Sequence, residues 1–236
     1  MRKLIILVIL IAFSVPLLGH TQAKGDGIAL RDYTPQSTLL QSLQLRSQAQ
    51  LGKLVYLPES DFDQAEASKI ISRLDKLPST ILSKMVEEGI QLHLFEGNLT
   101  DQPTAEHLKG VIPRGYTSNK TWDDVPGVGG SKVVLVKIGA SAKGSGHGSV
   151  NLELHELAHS IDRYVYDEIR SNPTYLKIWK QERNILFPGQ SYFINYPEEY
   201  FAETFAMYYL SEETKEILKK EAPKTYAFFN SLSTIK

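Results

Sequence analysis

His155-Glu156-Leu157-Ala158-His159 is the segment of this chain best suited to chemistry. On a helix, residues four apart share a face, so two imidazoles at this spacing can hold one metal ion. Glu156 between them can reach a water on that metal and act as general base, which is the chemistry of metal-assisted peptide hydrolysis. A hydrolytic zinc site needs a third protein ligand and leaves one position open for water. Downstream, Tyr196-Pro197-Glu198-Glu199-Tyr200-Phe201-Ala202-Glu203 offers two carboxylates, Glu199 and Glu203, one helical turn apart. One can ligate while the other hydrogen-bonds a ligand imidazole from behind. Acidic residues in the first turn after Pro197 are also favoured by the helix dipole alone, so spacing by itself does not decide between a ligand and a plain helix start.

The elements that must position these groups can be read from periodicity. Val150, Leu154, Leu157, Ile161 and Val165 form one apolar stripe, with His155, His159 and Asp162 on the other side of the helix. Such a helix packs by one face and does chemistry with the other. Before it, Ser131 to Ile138 is β-branched and apolar on both faces and predicts a buried strand. Gly139, Gly144, Gly146 and Gly148 make a flexible connection between the two. Helices are expected near 62–75, with Asp61 as N-cap, and near 79–89, separated by Pro78. Ile90 to Phe95 alternates like a strand, with His93 on its polar, surface side beside Gln91. Further helices are expected near 172–185, 197–210, 212–219 and 223–234, with Pro197 and Pro223 in first turns. Few strands and many helices predict an α+β fold: a small β-sheet with N-terminal helices and a helical C-terminal half.

Met1 to Ala23 has Arg2 and Lys3, a 15-residue apolar run and a small-residue end, the pattern of a secretory signal peptide cleaved after Ala23. The run is shorter than the ~20 residues that span a bilayer and contains Pro16, so stable membrane insertion is not expected. Loss of that segment leaves 213 residues and takes the formal net charge from −1 to −3, which favours neither nucleic acid nor an anionic membrane as partner. The absence of cysteine excludes a disulfide framework, so stability must come from a packed core and bound metal. The expected organisation is a signal peptide at 1–23, a weakly structured N-terminal arm at 24–50 and a single metallopeptidase domain at 51–236, acting as a monomer outside the cell.

Several separated motifs occur in order: Lys120-Thr-Trp-Asp-Asp-Val-Pro-Gly127, Gly129-Gly-Ser-Lys132, His155-Glu-Leu-Ala-His-Ser-Ile-Asp162, Glu199-Tyr-Phe-Ala-Glu203 and Ala222-Pro-Lys-Thr-Tyr226. From about Arg114 to the C-terminus, the chain resembles the zinc metallopeptidase family of the anthrax lethal factor catalytic domain, and more closely its small secreted pro-pro endopeptidases. The resemblance implies one Zn²⁺ held by His155, His159 and Glu199, with Glu203 behind the ligands, Glu156 as general base and Tyr192 as oxyanion donor. It further implies that Trp122 lines the substrate groove, that Lys120 and Glu198 form a charged pair there, and that the substrate is a Pro-rich peptide or protein cut between two prolines. The loop from Gly139 to Gly148 does not align with the family pattern. Two alternatives stand beside this one: a metallopeptidase of other sequence specificity, and a non-catalytic zinc-stabilised binding or adhesion module, which would need neither Glu156 nor Tyr192.

Overall fold

The computed structural model describes residues 27–114 and 119–232; the expected signal peptide lies outside the described residues. A five-stranded sheet is built from β1 (Ile28–Ala29), β2 (Val55–Leu57), β3 (Gln91–Phe95), β4 (Gly127–Val128) and β5 (Val133–Lys137), in the spatial order β1-β2-β3-β5-β4. The inner pairs β2–β3 and β3–β5 are parallel, and the two edge strands run antiparallel to their neighbours. Parallel strands need crossovers. Between β2 and β3 the crossover is helical, α3 (Gln64–Leu74) and α4 (Ser79–Glu87).

Both faces of β5 are covered, as its sequence requires. Val134 and Val136 join the main core with the helices, while Leu135 joins Phe95, Leu99, Ala105 and Val125 in a second cluster. The expected α+β class is therefore met, but three local expectations are not. Asp63 rather than Asp61 caps α3, accepting the amides of Ala65 and Glu66 at 3.0 Å. His93 is buried rather than on the surface: its ring stacks on Tyr56 of β2 at 4.6 Å, and Nε2 lies 3.1 Å from Gln91 Oε1. It does lie on the side of Gln91, but alternation cannot reveal that a neighbouring strand covers that side.

The third correction concerns residues 24–50. From Ile28 onward they are integrated rather than loosely attached. β1 pairs with β2, α1 (Thr38–Ser42) and α2 (Gln48–Leu54) follow, and Leu30, Leu39 and Leu51 are buried. Asp75 accepts the amides of Arg46 and Ser47 at 2.9 and 2.8 Å. The helices there are only five and seven residues long, too short for a periodic signal, yet Leu30, Leu39 and Leu51 enter the main core.

The C-terminal half carries α5 (Leu152–Ser160), α6 (Pro173–Leu186), α7 (Ser191–Asn195), α8 (Pro197–Leu210), α9 (Glu212–Glu221) and α10 (Pro223–Leu232). Pro197 and Pro223 occupy first turns, where a missing amide costs nothing. The interior of α8 is buried continuously from Glu199 to Tyr208, so it is the central helix against which the others pack. Glu182 of α6 accepts the amides of Lys224 and Thr225 at 2.9 and 2.8 Å, fixing the start of α10.

Candidate active site

Asn151 caps α5 by accepting the Leu154 amide at 3.0 Å, which starts the helix one turn before His155. Leu154, Leu157 and Ile161 enter the main core as the apolar stripe requires. The other side of α5 is not open, however. His155 and Asp162 are also buried, because α8 crosses that side and the β4–β5 turn lies on it, while Glu153 is buried elsewhere on the helix, paired with Arg73 of α3. The turn is stitched to the helix: Gly130 N donates to Ser160 Oγ at 3.0 Å, and Ser160 Oγ donates to the Ser131 carbonyl at 2.7 Å. Gly129 lies so close that a Cβ on it would fall 1.9 Å from the Glu156 carbonyl oxygen.

Across α5 and α8 the three expected ligands meet. Glu199 Oε2 is 3.3 Å from both His155 Nε2 and His159 Nε2. Zinc bonds of about 2.0–2.1 Å in tetrahedral geometry put neighbouring donors about 3.3–3.4 Å apart, so these separations fit the edges of a zinc tetrahedron. Among the described residues this is the one His/Asp/Glu cluster with its donor atoms within 4.8 Å of one another. Its electrostatics favour a cation. Burial acts to lower the His155 pKa, but hydrogen bonds to Glu199 and Glu203 outweigh it and raise the value to about 10. Burial likewise acts to raise the Glu199 pKa, and the two imidazoles instead hold it well below the usual carboxylate range.

Glu203, one turn further along α8, takes the supporting position: Oε2 is 3.1 Å from His155 Nδ1. Its other oxygen accepts the Val150 amide at 2.9 Å, so one carboxylate orients both the ring and the start of the metal-site helix.

Glu156 and Tyr192 face a cavity of about 670 Å³ beside His155, His159 and Glu199. Tyr192 is carried by α7, a short helix absent from the sequence expectations. Trp179 Nε1 donates to the Phe193 carbonyl at 3.2 Å and Arg183 Nη1 to the Ile194 carbonyl at 2.6 Å, which hold α7 against α6. Burial, and then the charges of Glu199 and Glu156, push the Tyr192 pKa far up, so its hydroxyl is a proton donor.

Trp122 lines the cavity and packs against the second core cluster. Glu198 is paired with Arg114, at 2.7 Å from Nη2, while Lys120 is exposed and outside the cavity lining. Arg114 also lies 3.6 Å from Glu199 and 4.2 Å from the Tyr196 ring centroid. Sequence distance gives no reason to connect Arg114 with Glu198. Asp162 is not part of the ligand cluster; it accepts the Arg170 amide at 2.9 Å and pairs with the Arg170 side chain.

Two imidazoles and a carboxylate at tetrahedral spacing, with a free carboxylate and a phenol facing the same cavity, define a metallopeptidase of the His-Glu-x-x-His class. The profile described as "Anthrax toxin lethal factor, N- and C-terminal domain" matches residues 40–232, and the chain belongs to that family. The match begins well before Arg114 and includes most of the sheet. The chain is 41% identical over 188 residues to a Pro-Pro endopeptidase of Paenibacillus alvei, covering 79% of this chain and 86% of that protein. It is also 41% identical over 184 residues to a Pro-Pro endopeptidase of Clostridioides difficile, covering 78% and 83%. The solved structure of the Paenibacillus alvei enzyme superimposes with a TM-score of 0.74, covering 78% of this chain and 99% of that one.

Proposed function

We propose that this chain is a secreted zinc endopeptidase that cuts peptide bonds between two prolines. The observation that carries the reading is the meeting of His155, His159 and Glu199 at zinc-edge distances beside a Glu156 that makes no ion pair among the described residues. His155, His159 and Glu199 would hold one Zn²⁺, with Glu203 fixing the His155 ring. When bound there, zinc supplies a Lewis acid that polarises the scissile carbonyl and lowers the pKa of a water toward ~7.

Glu156 accepts a proton from the attacking water as the C–O bond forms, then delivers it to the leaving nitrogen as the C–N bond breaks. The leaving group is the secondary amine of a prolyl residue. Tyr192 donates a hydrogen bond to the oxygen that gains charge. Trp122, Val125, Val128 and Phe193 give the cavity apolar walls suited to pyrrolidine rings, and the names of the two relatives support that preference. The Arg114–Glu198 pair beside the Glu199 ligand would position the peptide backbone, the role expected of Lys120 and Glu198.

The signal-peptide pattern of residues 1–23 supports export, and no helix among the described residues is long and apolar enough to cross a membrane. The remaining residues then act as one monomeric metallopeptidase domain. Incubating the purified chain from Lys24 with a library of Pro-Pro peptides, with and without a chelator, tests the reading by mass spectrometry of the products. Chelator-sensitive cleavage between the prolines is expected; cleavage at other bonds would favour a peptidase of different specificity.

A further inference from the structure

Three arginines line the active-site cavity: Arg114, Arg163 and Arg170. Two are matched by carboxylates. Arg114 pairs with Glu198 at 2.7 Å, and Arg170 pairs with the buried Asp162. Arg163 has no carboxylate within 4.0 Å among the described residues.

The position of Arg163 is fixed by the fold. It lies four residues beyond His159, in the π-helical turn Ile161–Val165 that continues α5, and lines the same cavity as that imidazole. Its Nη1 donates to the Gly130 carbonyl at 3.1 Å, in the turn that closes over α5. Gly130 itself is adjacent to His159, since a Cβ there would be 3.6 Å from His159 Cβ. The guanidinium is thus tethered to the cavity rim instead of extending freely into solvent. A guanidinium carries five N–H donors in a planar fork, and one of them serves this tether. The others remain available on the rim, where an extended peptide in the cavity would pass.

We infer that Arg163 is a specificity-determining residue that recognises the carboxylate of an Asp or Glu side chain flanking the Pro-Pro bond. The inference rests on the endopeptidase reading and narrows its substrate class to Pro-Pro segments with an acidic neighbour on one side. Planar, bidentate recognition of a carboxylate is the chemistry for which Arg is best suited. Because the site is exposed, the discrimination is modest: about two- to fivefold, the range of exposed ion pairs, and it weakens with salt.

The test uses the zinc-loaded enzyme and N-acetylated, C-amidated Pro-Pro peptides, so that chain termini carry no charge. Glu, Gln or Lys is placed singly at each of three positions on either side of the prolines, and kcat/KM ratios are read by competition in one mixture. At one side Glu is cut about two- to fivefold faster than Gln. Arg163→Gln, whose amide can still donate to Gly130, removes that ratio while neutral peptides are still cut. Arg163→Glu reverses it in favour of Lys. Lys180→Glu, an equal charge change on the exposed face of α6, leaves the ratio intact. A Glu-to-Gln ratio of one at every position in the wild type overturns the inference. So does a ratio unchanged in Arg163→Gln, which would reduce Arg163 to a tether for Gly130. If no Pro-Pro peptide is cut at all, the endopeptidase reading fails and the inference with it; if all are cut equally, the inference alone fails.

Discussion

Glu203 Oε2 lies 3.1 Å from Nδ1 of His155, and the other oxygen of the same carboxylate accepts the Val150 amide at 2.9 Å. The side chain therefore sets both the tautomer of the His155 imidazole and the entry of the chain into α5. Partners of this kind typically change metal affinity by 10- to 100-fold when removed. Glu203→Ala is expected to weaken zinc binding by about that factor, measured by competition against a chromophoric chelator. It also leaves buried polar groups on both sides unpaired, at a cost of about 1–3 kcal/mol each, so a lowered Tm should accompany the weaker binding. Zinc affinity equal to that of the wild type would remove Glu203 from the site.

Gly129 is a packing requirement rather than a flexible joint. A Cβ would stand 1.9 Å from the Glu156 carbonyl oxygen, a backbone atom that cannot rotate away. Gly129→Ala should therefore separate the turn from α5 and destabilise the fold by several kcal/mol, about 3 or more, visible as a large fall in Tm. At Gly148 a Cβ meets nothing within 4 Å, and Gly148→Ala should shift stability by less than about 1 kcal/mol. Similar Tm values for the two variants would contradict the close approach seen at Gly129.

The Arg114–Glu198 pair predicts a coupling that can be measured. Arg114 is 58% exposed, so a double-mutant cycle with Arg114→Ala and Glu198→Ala should give only about 0.2–1 kcal/mol on kcat/KM. Lys120→Ala should show no coupling with Glu198→Ala. Coupling to Lys120 instead of Arg114 would restore the pairing implied by family resemblance.

What the sequence reveals of this site follows the range of each signal. The two imidazoles and Glu156 are legible because one helical turn connects them. The bounds of α8 are legible because Pro197 starts it and Ser211 caps the next helix. Glu199 reaches the two imidazoles only because α8 crosses α5, a packing relation that spacing cannot show. The same crossing buries the polar side of α5, which periodicity alone would leave open. Tyr192 rides on the five-residue α7, too short for a periodic pattern and held by side chains of α6. Arg114 and Glu198, 84 residues apart, meet only through tertiary structure.

Tyr192→Phe isolates the hydroxyl while keeping the ring that packs against Phe193 and Tyr196. Loss of one oxyanion donor typically lowers kcat by about 10²–10³. The variant is expected to show that loss with unchanged zinc content and Tm. A fall in zinc content with kcat per bound zinc preserved would assign Tyr192 a structural role.

Glu156 separates a catalytic site from a metal site that only stabilises a binding module. The direct measurement is cleavage of a Pro-Pro peptide by Glu156→Ala beside the wild type, with zinc per chain determined on the same samples. One zinc per chain is expected in both proteins, with turnover in the wild type alone. A Glu156→Ala protein that still cuts the peptide would contradict it.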